Sequence, residues 1–252
     1  MNLAINNTSL LFATALVGIA LMIVYKEKLG LGKDILLSVF RAVIQLFAVG
    51  YLLGYVFKLN NTVVTLALVL VIIFNASFNA GKRSKGLSHA FKISFIAIFT
   101  ATSLTLLVLV MSGSVLFIPS QVIPISGMIA SNSMIAIGIC YRNLNAKFTD
   151  QRQQVLEKLA LGADLKQASR SIVRDSIRAG MSPTIDSAKT IGIVSLPGMM
   201  SGLMFAGVDP THAIKYQIMV TFMLLSTTSI ASVSASYMAY KEFYNERKQL
   251  KN

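Results

Sequence analysis

Cysteine, histidine and acidic residues are all scarce in this chain, and each shortage removes a class of chemistry. Cys140 is the single cysteine, so neither an intrachain disulfide nor a cysteine-based metal cage can form. The two histidines, His89 and His212, fall between apolar runs on opposite sides of the expected topology, which argues against a catalytic or metal-binding pair. All ten acidic residues (Glu27, Asp34, Asp150, Glu157, Asp164, Asp175, Asp186, Asp209, Glu242 and Glu246) are expected in loops or at the ends of apolar runs. Carriers driven by protons or sodium hold the coupling ion on a carboxylate inside the bilayer, so a self-powered carrier is disfavoured. A phosphate-cradling loop is missing as well: Gly81-Lys82-Arg83-Ser84 lacks the upstream glycine and the Lys-Ser/Thr pair. By that route the chain cannot hydrolyse ATP. The spans contain no nucleophile with a base, no paired acids and no metal cluster, so no catalytic residue is assigned and the reading is of a non-enzyme without identified metal ligands.

Apolar residues are what the chain has in excess. Hydrophobic residues make up 54% and charged residues 13% of 252, and the mean hydropathy is +0.66. Burial of so much apolar surface in a water-soluble core is implausible, and an all-α, polytopic membrane protein forming one domain over residues 1–252 is expected. Runs long enough to cross about 30 Å of hydrocarbon are Thr8–Tyr25, Ile35–Phe57, Thr62–Ala80, Ile93–Met111, Val122–Tyr141, Thr190–Ala206 and Ile214–Tyr240, about seven spans. The first is not a cleavable signal by its pattern: Met1 to Leu10 holds no Lys or Arg, and Lys26 and Lys28 follow the apolar run rather than precede it. Basic residues gather after the first, third, fifth and seventh spans, whereas only Lys58 and Lys215 fall on the other side. The positive-inside rule then puts the N-terminus outside and the C-terminus inside. Most of the formal charge of +13 is therefore topological. Its partners are anionic lipid headgroups rather than nucleic acid.

Polar residues that enter the spans are the candidates for a substrate pathway. Arg41 and Gln45 share a face of the second span, where Arg41 either snorkels to headgroups or lines a route. Asn75 and Asn79 repeat that spacing on the third span, and interhelical hydrogen bonding accounts for them equally well. Ser131-Asn132-Ser133 lies in the middle of the fifth; serine can satisfy its hydroxyl on the preceding turn, so Asn132 is the residue that demands a partner. In the sixth, Leu196-Pro197-Gly198 should kink or break the helix, with Met199 and Met200 alongside as gap-fillers or soft ligands.

Between the fifth and sixth spans, about residues 142–190, runs a long basic stretch with helical periodicity. Val155, Leu156, Leu159 and Ala160 form an apolar stripe, Gly162-Ala163 breaks it, and Asp164 with Gln167 makes a capping box that restarts a helix carrying Lys166, Arg170, Arg174 and Arg178 at four-residue intervals. Ser182-Pro183 then reads as the cap and first turn of the next helix. A helix-turn-helix of this kind is suited to docking, on lipid or on a partner.

Glu157-Lys-Leu-Ala-Leu-Gly162-Ala163 resembles the coupling-helix signature of ABC transporter permeases, a Glu-Ala-Ala-x-x-x-Gly run that inserts into a cleft of the ATPase. It departs from that pattern in having its glutamate one position closer to the glycine, and Arg174-Asp175 where Leu-Pro is typical. Arg41-Ala-Val-Ile-Gln-Leu46, Phe117-Ile-Pro-Ser-Gln-Val-Ile-Pro124, Asp186-Ser-Ala-Lys189, Ser195-Leu-Pro-Gly-Met-Met-Ser-Gly202 and Lys215-Tyr-Gln-Ile-Met-Val-Thr-Phe222 extend the match along the chain and resemble the FetB-type iron-export permeases of bacteria, a family that includes plant aluminium-tolerance half-transporters. The resemblance implies a multi-pass permease of the bacterial inner membrane that exports iron and contributes to oxidative-stress resistance. It further implies a separate cytoplasmic ATPase carrying ATP-Mg, no cofactor on this chain, and a homodimer of permeases bound to two ATPases. The residues it implies for coupling are Glu157, Leu159, Gly162, Ala163, Asp164, Arg170, Arg174 and Asp175. Another cargo, such as a nucleotide sugar or a metal chelate, and a self-contained channel or carrier stand as alternatives.

Overall fold

The computed structural model describes residues 7–84 and 86–251. It is helical throughout: α1 (Asn7–Lys26), α2 (Gly32–Leu59), α3 (Thr62–Lys82), α4 (Ala90–Met111), α5 (Pro119–Asp150), α6 (Arg152–Ala160), α7 (Leu165–Thr190), α8 (Gly198–Phe205) and α9 (Pro210–Ala239), with a 3-10 turn at Tyr240–Phe243. Among the described residues, β pairing is limited to two isolated bridges, Ile191 with Ser195 and Tyr244 with Leu250. The helices α2, α3, α4, α5 and α9 are each long and apolar enough to cross a membrane, and α1 contributes a shorter apolar stretch, Phe12–Lys26. The chain is a polytopic helical membrane protein.

Two compact units divide the chain: α1 and α2 with residues 205–207, and the remainder. In the first, the α1–α2 turn uses left-handed backbone at Lys28 and Gly30, with φ of 50° and 71°. Its helices present Phe12, Leu46 and Tyr51 on the surface, as lipid-facing helices do.

In the second unit α5 and α9 pack on each other and both pack on α4 and α7, while α3 packs on α4 and α5. The facing positions are small: Ala76, Ser77 and Ala80 on α3, Ala97 and Ala101 on α4, Ala130, Ser133 and Ala136 on α5, and Ala231, Ser232, Ala235 and Ser236 on α9 are all buried. Because lipid chains compete for apolar contact, membrane helices associate through close backbone approach, and small residues permit it. The closest approach is at Gly180 of α7, where a Cβ would lie 2.4 Å from Cys140 Sγ, 2.9 Å from Ser232 Oγ and 3.0 Å from the Ala136 carbonyl oxygen. A few hydrogen bonds set the register: Thr105 and Thr227 hydroxyls at 3.2 Å, Ser94 with Tyr141 at 2.9 Å, and Ser176 donating to Asn143 Oδ1 at 3.0 Å. At one end of this unit Phe148 stacks on Phe243 with centroids 4.1 Å apart, and Ser169 bonds the Tyr244 hydroxyl at 2.6 Å.

Two sequence expectations fail here for identifiable reasons. The expected sixth span, Thr190–Ala206, is not one helix. Gly192 takes φ of 84° in a turn closed by Gly192 N–H to the Ser195 carbonyl, and helix resumes only after Pro197, for the eight residues of α8. Hydropathy counted the apolar side chains and was blind to that reversal. The second failure is at Ser182-Pro183, which does not start a helix. Helix α7 runs unbroken through it for 26 residues, because residues on either side of Pro183 face the same α5 and α9 surfaces, and Ser182 spends its hydroxyl on Asp186 at 3.0 Å.

Candidate functional site

Asn132 lies where α5, α7 and α9 part to leave a cleft of about 220 Å³. Its walls carry Thr184 and Ser187 from α7 and Gln217 and Thr221 from α9, with Ile135, Ile191 and Leu224 between them. The Asn132 side chain donates its amide to the Met128 carbonyl one turn back at 2.9 Å, which leaves Oδ1 as an acceptor. Gln217 is 6% exposed, and its Oε1 is buried with no hydrogen-bond partner. An unpaired amide oxygen at that depth costs free energy unless something occupies it, so a hydrogen-bond donor or a cation is the complementary guest. Thr221 is tied down by donating to the Gln217 carbonyl at 2.8 Å. The cleft therefore offers uncharged oxygen acceptors. Sequence reasoning missed Gln217, although a glutamine within an apolar run raises the same demand that singled out Asn132.

The other pathway candidates are elsewhere. Asn75 and Asn79 sit on α3, each donating to a carbonyl four residues earlier, Val71 at 3.1 Å and Asn75 at 2.9 Å, and neither lines the cleft. Arg41 and Gln45 lie one turn apart on α2, in the two-helix unit. Pro197 stands just before α8, and Met199 packs against a cluster built on Leu109, Ile125, Ile129, Val220 and Met223. Met200 follows it on α8. Among the described residues no group of three or more His, Cys, Asp or Glu could hold a metal ion.

The coupling candidates gather around the α6–α7 corner. Leu161 is 88% exposed at the tip, and Gly162 beside it takes φ of 88°, which a side chain would strain. Leu159 and Ala163 turn inward onto the core, while Glu157 faces out and accepts from Gln153 at 3.2 Å. Asp164 caps α7 by accepting from the Gln167 N–H at 2.6 Å, as its spacing predicts. Next to it a cleft of about 450 Å³ is lined by Asp164, Lys166, Arg170, Arg174, Tyr237 and Tyr240. Asp175 turns aside to Lys147 at 3.9 Å and Arg178 at 3.4 Å.

Asp186, expected in a loop or at the end of an apolar run, lies on α7, in the stretch of that helix that runs beside Asn132 of α5 and Thr221 of α9. The low hydropathy of α7 concealed this, because its packing face is built from Ala168, Ser169, Ser176 and Gly180 rather than from large apolar side chains.

Comparison with known proteins follows the whole chain. The model of the "Uncharacterised protein family (UPF0014)" matches residues 7–244. The "Probable iron export permease protein FetB" of Escherichia coli (strain K12) is 59% identical over 98% of this chain and 95% of its own length. The "UPF0014 membrane protein STAR2" of Oryza sativa subsp. japonica is 34% identical over 94% of this chain and 84% of its own, and the "UPF0014 membrane protein YjkA" of Bacillus subtilis (strain 168) is 32% identical over 92% and 93%. No solved structure matches. A multi-pass helical chain with a polar cleft among its apolar helices, matched almost end to end, belongs to the UPF0014 family.

Proposed function

We propose that this chain is the permease subunit of an ATP-driven ABC exporter of the bacterial inner membrane, exporting iron and contributing to oxidative-stress resistance. The observation that carries the reading is the 59% identity, over nearly the full length of both chains, to a protein named as an iron export permease. The whole chain acts as one permease domain with its N-terminus outside and C-terminus inside. It is not an enzyme and binds no cofactor of its own. ATP-Mg sits on a separate cytoplasmic ATPase, two copies of which bind a homodimer of permeases.

In this reading the α6–α7 corner enters a cleft on the ATPase. The exposed Leu161 and the left-handed turn at Gly162 form the inserted tip, and Glu157, Asp164, Arg170 and Arg174 surround it. Motion received there passes along α7 to the cleft holding Asn132 and Gln217.

The test is co-purification with the host's candidate ATPases for wild type, Gly162→Ala and Gly162→Trp, followed by iron-stimulated ATPase activity in liposomes. Both substitutions share the backbone strain at positive φ, so the difference between them reports bulk at the interface alone. Loss of binding in the tryptophan variant only, with turnover raised by ferrous iron in wild type, is the expected result. Binding without iron stimulation replaces the cargo, and flux through the purified chain with no ATPase replaces the exporter by a channel or carrier.

A further inference from the structure

The charged half of α7 runs beside α5 and α9, two helices long and apolar enough to cross a membrane. Gly180 marks the register: its backbone abuts Cys140, Ala136 and Ser232, within the apolar lengths of α5 and α9. From there α7 continues to Thr190, about 15 Å at roughly 1.5 Å per residue, and Ser187, Ala188 and Ile191 face the Asn132 cleft. Arg178, Ser182, Asp186 and Lys189 recur at helical spacing on the side turned away from that cleft. Their charged side chains are open, Arg178 at 82%, Asp186 at 62% and Lys189 at 68%.

Both carboxylate oxygens of Asp186 are engaged. Lys189 Nζ lies 2.9 Å from Oδ1, and the Ser182 hydroxyl donates to Oδ2 at 3.0 Å. The carboxylate is thus held in place while facing outward. Hydrocarbon is not a tolerable neighbour for such a face: intramembrane charges turn toward water or protein and mark ion routes. Helix α7 also lacks the apolar stripe that lipid contact would require on that side.

We propose that this face of α7 is a wall of a water-filled route through the bilayer, and that Asp186 is the carboxylate on which a divalent metal cation rests in transit, displacing Lys189. A carboxylate with an adjacent hydroxyl is a hard oxygen pair. Two such ligands suit passage rather than storage. The choice of cargo rests on the exporter reading, whereas the water-filled route rests on the placement of α7 alone.

The two parts are tested separately. With Cys140→Ala as background, single cysteines are placed by Ser182→Cys and Lys189→Cys, and on an exposed apolar position of α4 by Leu107→Cys. Membrane vesicles are then treated with a charged, membrane-impermeant thiosulfonate. A thiol in water ionises and reacts, so the two α7 positions should react at least about tenfold faster than position 107; rates equal to that of position 107 overturn the route. Ferrous iron alone, under anoxic conditions, should slow labelling of Lys189→Cys, in which the Asp186 carboxylate and the Ser182 hydroxyl are both intact, and lose that effect when Asp186→Asn is added. Iron protection that is absent, or that persists without the carboxylate, overturns the metal assignment. Neither labelling result depends on an ATPase. Failure of the exporter reading therefore appears elsewhere, as wild-type ATPase activity indifferent to iron.

Discussion

Adding one methyl group at Gly180 should loosen the centre of the bundle. In Gly180→Ala the new Cβ would meet Cys140 Sγ at 2.4 Å, Ser232 Oγ at 2.9 Å and the Ala136 carbonyl oxygen at 3.0 Å. The two side-chain atoms can turn away, although Cys140 Sγ gives up its 3.3 Å contact with the Ser176 carbonyl in doing so. The carbonyl cannot turn, so α7 must retreat from α5 by a few tenths of an ångström and lose contact along its buried face. Overpacking of this kind costs about 1–3 kcal/mol, and the midpoint, about 2 kcal/mol, is roughly a thirtyfold shift in the unfolding equilibrium. The assay is reversible unfolding in bicelles by steric trapping. Gly127→Ala is the control, because nothing lies within 4 Å of its Cβ position and the gain in helix propensity can reach about 1 kcal/mol. Cys140→Ala combined with Gly180→Ala should recover part of the loss, since the carbonyl contact remains. A Gly180→Ala protein as stable as wild type would refute the reasoning, because it would mean that α7 does not seat against Ala136.

Two more outcomes follow from side chains already placed. Gln217→Leu removes a buried acceptor that has no partner, a group costing about 1–3 kcal/mol, so the same unfolding assay should show stability unchanged or raised while export falls; loss of stability together with export would mean that Gln217 is structural. Asp164→Ala deletes the cap of α7 and should cost about 0.5–2 kcal/mol, read as faster hydrogen exchange confined to the first turn of α7, with weaker ATPase co-purification.

The residues of α2 to α5 and α9 announce their helices through uninterrupted apolar runs, and the Asp164 cap announces itself through its spacing. The expected sixth span does not correspond to a helix. Apolar residues from Thr190 to Ala206 pass a hydropathy window, yet Gly192 and Pro197 turn the backbone there. The helix beside α5 and α9 is instead α7, whose Ala, Ser and Gly contacts carry no hydropathy signal and whose charges argue against membrane depth. The cleft was half legible for a similar reason. Asn132 could be chosen because amides in apolar runs need partners, but the rule did not separate it from Asn75 and Asn79: all three donate to a carbonyl four residues back on their own helix, and only Asn132 lines the cleft. Partnerlessness, as at Gln217, is a property of three dimensions.

The continuity of α7 through Pro183 has a mechanical consequence. A helix resists compression along its axis far better than bending, so a push at the Asp164 end is delivered nearly undiminished to Thr190, roughly 39 Å away at 1.5 Å per residue. Pro183 has no N–H to offer the Ala179 carbonyl, so α7 is a stiff strut with one compliant joint in the wall of the cleft itself. Thrust at the corner is thus converted into a swing of the last two turns, and the sideways travel of Asp186 and Ser187 is set by how far that joint flexes.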